Sequence, residues 1–171
     1  MQIVLLGYMG SGKTTIGKIL AKELKIKFLD LDDCIEESEG AKISKIFSDK
    51  GEIYFRKKEA SSLREILSGK EDFVLSIGGG TPCYANNMDA ISKMTPNGIY
   101  LKVGLSELVS RLSKEKADRP LVVNIPDREL QEFIGKHLFE RSFYYNQANY
   151  VVNCDGRNFP EIVSEIKVLL G

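Results

Sequence analysis

The chain has 171 residues, 43% of them hydrophobic and 28% charged, the size and balance of a single soluble globular domain. Its 24 basic and 24 acidic residues cancel to a formal net charge of zero, which disfavours a broad nucleic-acid or membrane-surface binder. Apolar runs such as Ile3 to Leu6 are too short to span a bilayer, nothing at the start reads as a secretory leader, and Cys34, Cys83 and Cys154 lack CxxC spacing. These features predict a cytoplasmic protein with reduced thiols, without a disulfide frame or zinc site.

In chain order, short apolar strands alternate with helical patterns. Strands are predicted at Ile3–Leu6, Lys27–Leu31, Phe73–Ile77, Gly98–Val103 and Tyr150–Asn153. Helices are predicted at Lys13–Leu24, Ile43–Phe47, Glu52–Leu67, Asn87–Lys93, Leu105–Leu112, Asp127–Asn146 and Pro160–Leu170. Strands followed by helices imply a three-layer α/β/α domain around a five-stranded parallel sheet. Ser113–Glu129 fits neither period, carries two prolines, and reads as a functional loop or lid, centred on about 112–124.

The first strand runs into "GYMGSGKT" (Gly7–Thr14), which fits G-x-x-x-x-G-K-[ST] and opens a helix. Glycines let backbone N–H groups converge on phosphate oxygens, and the helix terminus adds positive potential. Gly10, Ser11, Gly12, Lys13, Thr14 and Thr15 are therefore the expected ATP-binding set. Lys13 is expected to reach the β- and γ-phosphates, and the Thr14 hydroxyl to ligate Mg²⁺.

The second strand ends in "FLDLDD" (Phe28–Asp33). A spacing of two puts Asp30 and Asp32 on one face of a strand, at the end that borders the phosphate loop. One carboxylate suits hydrated Mg²⁺ and the other suits proton acceptance from an attacking hydroxyl. Asp33 points elsewhere and reads as a helix cap. A second glycine cluster, "SIGGG" (Ser76–Gly80), follows the third strand and raises the question of its purpose, since the phosphate loop lies elsewhere.

"GYMGSGKTTIGKILA", "FLDLDDCIEE", "IFSDKGEIYFRKKE", "VLSIGGG", "DRPLV" and "ERSFYYNQANYVV" occur in that order, and together they resemble the shikimate kinase family from end to end. The resemblance implies a P-loop fold related to nucleoside monophosphate kinases. It also implies transfer of the ATP γ-phosphoryl group to the 3-hydroxyl of shikimate, with Mg²⁺, in aromatic amino-acid biosynthesis. By the same resemblance, Gly78, Gly79 and Gly80 are the substrate floor. Asp32 contacts the acceptor hydroxyl as candidate base; Asp30 and Ser76 lie near Mg²⁺ through water. Arg56 and Arg141 grip the substrate carboxylate, a task that suits the guanidinium fork. Arg119 is the lid arginine, and Arg111 and Arg157 flank adenine near "CDGRNFPEIV". Lys13, Asp32 and Arg119 form the implied catalytic set, and residues 32–60 the substrate-binding subregion. Family members are usually monomers.

Other features read as structural. The helix over Glu52–Leu67 is expected to turn Ile53, Leu63 and Leu67 to the core. His137 is expected on a helix surface or partly buried, and Cys83 as a small apolar residue. Phe139, Phe143, Tyr144 and Tyr145 are expected as core and substrate-wall packing, since a neutral chain does not suit a nucleic-acid stacking platform. Two alternatives remain: another small-molecule kinase, acting on gluconate or a nucleoside monophosphate, and a non-catalytic nucleotide switch. A guanine-type switch would carry N-K-x-D, which is absent.

Overall fold

Ile3, Val4, Leu5 and Leu6 are all fully buried, which a strand achieves when helices cover both faces of its sheet. In the computed structural model, which describes residues 1–171, five strands form that sheet. They are β1 (Gln2–Leu6), β2 (Lys27–Asp30), β3 (Phe73–Ser76), β4 (Gly98–Lys102) and β5 (Tyr150–Asn153). Every pairing is parallel, in the order β2-β3-β1-β4-β5. The chain crosses over β1 between its third and fourth strands, so the loops leaving β1, β2 and β3 open together at the carboxyl edge. In open α/β sheets that edge is where ligands bind.

Seven helices connect and cover the strands: α1 (Lys13–Leu24), α2 (Leu31–Glu39), α3 (Ile43–Ser68), α4 (Asn87–Met94), α5 (Leu105–Lys114), α6 (Asp127–Tyr145) and α7 (Phe159–Leu170). Helix α1 packs on α7, α3 on α4, and α5 on α6. Helix α7 starts with a reciprocal cap. The Asn158 side chain accepts from Glu161 N at 2.9 Å, and Glu161 Oε2 accepts from Asn158 N at 3.0 Å. Pro160 lies in its first turn, where a missing N–H costs nothing.

Three expectations change. First, β2 ends at Asp30, and Leu31–Glu39 is a helix where the sequence pattern predicts none. Asp30 caps it by accepting from Asp32 N at 3.0 Å, so Asp30, rather than Asp33, is the cap. Asp32 thus stands in the first turn of a helix, and its relation to Asp30 is not that of two residues on one strand face. Second, the two helices predicted around residue 50 are arms of α3, broken at Gly51 with φ 81° and ψ 171°. That conformation lies outside the range of a non-glycine helix residue and redirects the second arm. Ile53, just past the break, is 76% exposed, whereas Leu63 and Leu67 are buried as expected. Third, α5 runs to Lys114 and a short 3₁₀ turn follows at Lys116–Asp118. The next turns bury Val122 fully, so the predicted lid segment has an apolar foot in the core.

Candidate active site

A cleft of about 990 Å³ opens at the carboxyl edge of the sheet. Its wall brings together Gly10, Gly12, Lys13, Thr14 and Thr15 from the phosphate loop, Asp30 and Asp32 from the β2–α2 junction, and Ser76, Gly78 and Gly79 after β3. Arg111, Arg119 and Arg157 close it from α5, the lid segment and the α7 approach. Ser11 is buried beneath the loop and its Oγ has no hydrogen-bond partner.

The loop curls because Gly10 and Gly12 take φ of 79° and 90°. Lys13 Nζ donates to the carbonyls of Gly7 at 2.8 Å and Tyr8 at 3.0 Å. Burial lowers its pKa to about 8, helped by the charges of Arg119 and Arg141 and opposed by Asp30 and Asp32. Phosphate anions placed here would restore the full ammonium charge. Asp32 is pushed the other way, up to about 6, first by burial and then by the charges of Asp30 and Glu59. A carboxylate with that pKa is ionised at neutral pH yet remains a competent proton acceptor. Asp30 is also raised, chiefly by burial.

Asp30 and Ser76 face each other across the β2–β3 register. Their side chains, with the Thr14 hydroxyl and Asp32, give hard oxygen donors around one end of the cleft. No cluster of three His, Cys, Asp or Glu residues forms a cage. This donor set fits Mg²⁺ held mainly by nucleotide phosphates and water, the usual manner for that ion.

Beside the cleft, Arg56 from α3 and Arg141 from α6 converge on the second glycine cluster. A Cβ built on Gly80 would lie 3.1 Å from Arg56 Nη2 and 3.3 Å from Arg141 Nη2; one on Gly79 would lie 3.0 Å from Arg141 Nη1. A side chain there would press on the guanidinium groups, and bare backbone lets both approach closely. Glu59 is buried and ties this corner together. Arg56 Nη1 donates to its Oε1 at 2.9 Å, and Thr81 Oγ1 donates to its Oε2 at 2.7 Å. The Arg56 guanidinium also lies 3.9 Å from the Tyr84 ring centroid. Its Nε is buried without a hydrogen-bond partner. Tyr145 OH donates to the Gly79 carbonyl at 2.6 Å and fixes the turn from the α6 side.

The structure corrects part of the aromatic expectation. Tyr145 is fully buried against Tyr100, but Phe139 and Phe143 are 81% and 71% exposed and form no wall. Arg111 donates to the Gly10 carbonyl at 3.0 Å and pairs with Glu107, so it braces the phosphate loop as well as facing the cleft. Arg157 donates to Asn153 O at 2.8 Å and pairs with Glu165. Arg119 pairs with Glu115 at 2.8 Å. Glu59, the Tyr145 bond to Gly79 and the Tyr8–His137 contact were not anticipated from sequence. Only Glu59 carried a local signal, its (i, i+3) spacing from Arg56.

A family model for shikimate kinase matches residues 9–170. The chain belongs to the shikimate kinase family. It is 47% identical to the shikimate kinase of Flavobacterium psychrophilum over 99% of this chain and 98% of that one. The crystal structure of shikimate kinase from Bacteroides thetaiotaomicron superposes with a TM-score of 0.90 at 36% identity, covering 99% of this chain and 98% of that one. Shikimate kinase from Acinetobacter baumannii, solved in complex with shikimate, gives a TM-score of 0.86 at 32% identity, covering 99% and 92%. Family membership makes this chain an ATP-dependent kinase with a P-loop fold, and its parallel five-stranded sheet agrees. No helix is long and apolar enough to cross a membrane.

Proposed function

We propose that the enzyme transfers the γ-phosphoryl group of ATP to the 3-hydroxyl of shikimate, giving shikimate 3-phosphate and ADP, as a cytoplasmic monomer. The observation that carries this reading is the pair of guanidinium groups meeting over Gly80, within 3.1 and 3.3 Å of one built Cβ position. Two forks aimed at one point suit a planar carboxylate. They lie beside Asp32 and the phosphate loop, so a small carboxylate polyol held there turns a hydroxyl toward the donor.

Phosphoryl transfer asks the protein mainly for positioning and charge neutralisation. The loop N–H groups and the start of α1 would hold the β- and γ-phosphates. Lys13 would follow the migrating group, and Arg119 would join it from the lid. Glu115 holds Arg119 only through a partly exposed pair, worth about 0–1 kcal/mol, so release toward the nucleotide costs little. Arg56 and Arg141 would orient the acceptor, with Glu59 fixing Arg56. Asp32 would accept the proton of the attacking hydroxyl. Thr14 would hold Mg²⁺ directly and Asp30 and Ser76 through water; the ion supplies neutralising charge on the β- and γ-oxygens. Arg111 and Arg157 would flank the adenine. The unit is one kinase domain, with residues 32–60 as its acceptor-binding subregion and about 112–124 as its lid.

ADP release with ATP, Mg²⁺ and either shikimate or gluconate tests this reading. Rapid release is expected with shikimate alone. Release with gluconate, or with neither acceptor, would refute it.

A further inference from the structure

Tyr8 lies inside the phosphate loop. Its carbonyl accepts from Lys13 Nζ, and its side chain is buried. The hydroxyl reaches His137 Nδ1 on α6 at 2.8 Å. His137 sits one helical turn before Arg141, and Arg141 one turn before Tyr145, so the three share a face of α6. Tyr145 anchors that face to Gly79, and His137 anchors it to the phosphate loop. The Arg141 guanidinium stands between them, 5.7 Å from the Tyr8 ring centroid. The Tyr8 and His137 rings also meet edge-on at 5.4 Å, and Phe133 backs His137 at 5.6 Å.

We propose that the Tyr8–His137 hydrogen bond is a positioning link that locks the donor-binding loop to the acceptor-binding helix and so sets the place of Arg141. Burial raises the Tyr8 pKa to about 12, and burial together with the Arg141 charge lowers that of His137. The phenol therefore keeps its proton and the imidazole is neutral, so the link is a hydrogen bond between neutral groups whose donor is set by the imidazole tautomer. The link joins two elements 129 positions apart in sequence. No other side-chain hydrogen bond ties the loop directly to α6. With the hydroxyl removed, the Tyr8 ring keeps its packing but loses its fixed rotation. Arg141 then loses a defined wall on the loop side, while its anchor at Tyr145 remains.

The inference rests on shikimate as acceptor. Wild-type turnover of shikimate reports on that assignment alone, and the pattern among variants reports on the link alone. The test is a double-mutant cycle of Tyr8→Phe and His137→Leu, followed by shikimate KM, kcat and ADP affinity. Each single change is expected to raise shikimate KM about three- to tenfold, the range for a lost neutral hydrogen bond. The double variant is expected to match the worse single variant, because both remove one interaction. ADP affinity of His137→Leu, measured without shikimate, is expected to stay within about twofold of wild type. His137→Asn, which keeps a polar atom near the Nδ1 place, is expected to recover most of the KM. Multiplied effects in the double variant would overturn the proposal. So would an Asn variant no better than Leu, an unchanged shikimate KM, or an equal loss of ADP affinity. Tyr8→Phe deletes a single oxygen, so it keeps the cycle informative if a His137 variant folds poorly.

Discussion

Asp32→Asn separates stability from catalysis at one residue. The native pKa is raised from 3.8 to about 6, with burial as the main cause. A group raised in the folded state contributes stability that is fully present below its unfolded pKa and lost as pH rises through the folded one. Above pH 6 the ionised carboxylate is therefore a destabilising charge, by up to about 3 kcal/mol if the whole shift is taken at 1.36 kcal/mol per pH unit. Part of the side chain faces the cleft, and solvent screening lowers the expected figure to about 1–2 kcal/mol. The asparagine keeps the shape and drops the charge. It should melt roughly 2–8 °C higher than wild type at pH 8, the scale for a domain of this length. The gap should narrow between pH 6 and pH 4 and vanish below. Turnover should fall by about a hundredfold or more, the range for a lost general base. Thermal melts across that pH range, paired with ADP release at pH 8, give both readouts. A variant less stable than wild type at pH 8, a gap that ignores pH, or undiminished turnover would refute the assignment.

Further outcomes follow from the same geometry. Wild-type kcat/KM for shikimate should decline as pH falls through about 6, where Asp32 takes up its proton; a flat profile down to pH 5 would remove Asp32 as base. Lys13→Ala should lower turnover by about a hundredfold or more at saturating ATP, as for other lost contacts to developing charge. Arg119→Ala should cut kcat strongly with a modest change in shikimate KM, and Arg119→Lys should recover only part, as steady-state kinetics would read. Glu59→Gln should raise shikimate KM about tenfold while leaving ATP KM near wild type, because Arg56 loses a charge-assisted partner.

The sequence carried the phosphate loop, the alternation of strands and helices, and the ordered motifs, because each is a local pattern with a local cause. It was less informative where local propensity meets tertiary context. The β2–α2 junction was misread because "FLDLDD" looks like strand until the Asp30 side chain captures Asp32 N. Ile53 read as core on periodicity, but the break at Gly51 turns it to solvent. Phe139 and Phe143 read as packing on composition, yet both lie largely in solvent on α6. The meeting of Arg56 and Arg141 spans 85 residues of chain, and only the resemblance hinted at it; spacing alone says nothing about such a distance. The Tyr8–His137 link was invisible for the same reason, and Glu59 showed only its spacing from Arg56, since its Thr81 partner is set by the fold.

The central claim is that Arg56 and Arg141 hold the acceptor by its carboxylate so that a hydroxyl faces the phosphate loop. The direct measurement compares kcat/KM for shikimate and its carboxamide in wild type, Arg56→Ala and Arg141→Ala. Wild type should prefer the acid by about ten- to a hundredfold, the worth of a charge-assisted hydrogen bond. Each variant should lose most of that preference, with ATP KM little changed. Variants that discriminate acid from amide as well as wild type does would contradict the claim.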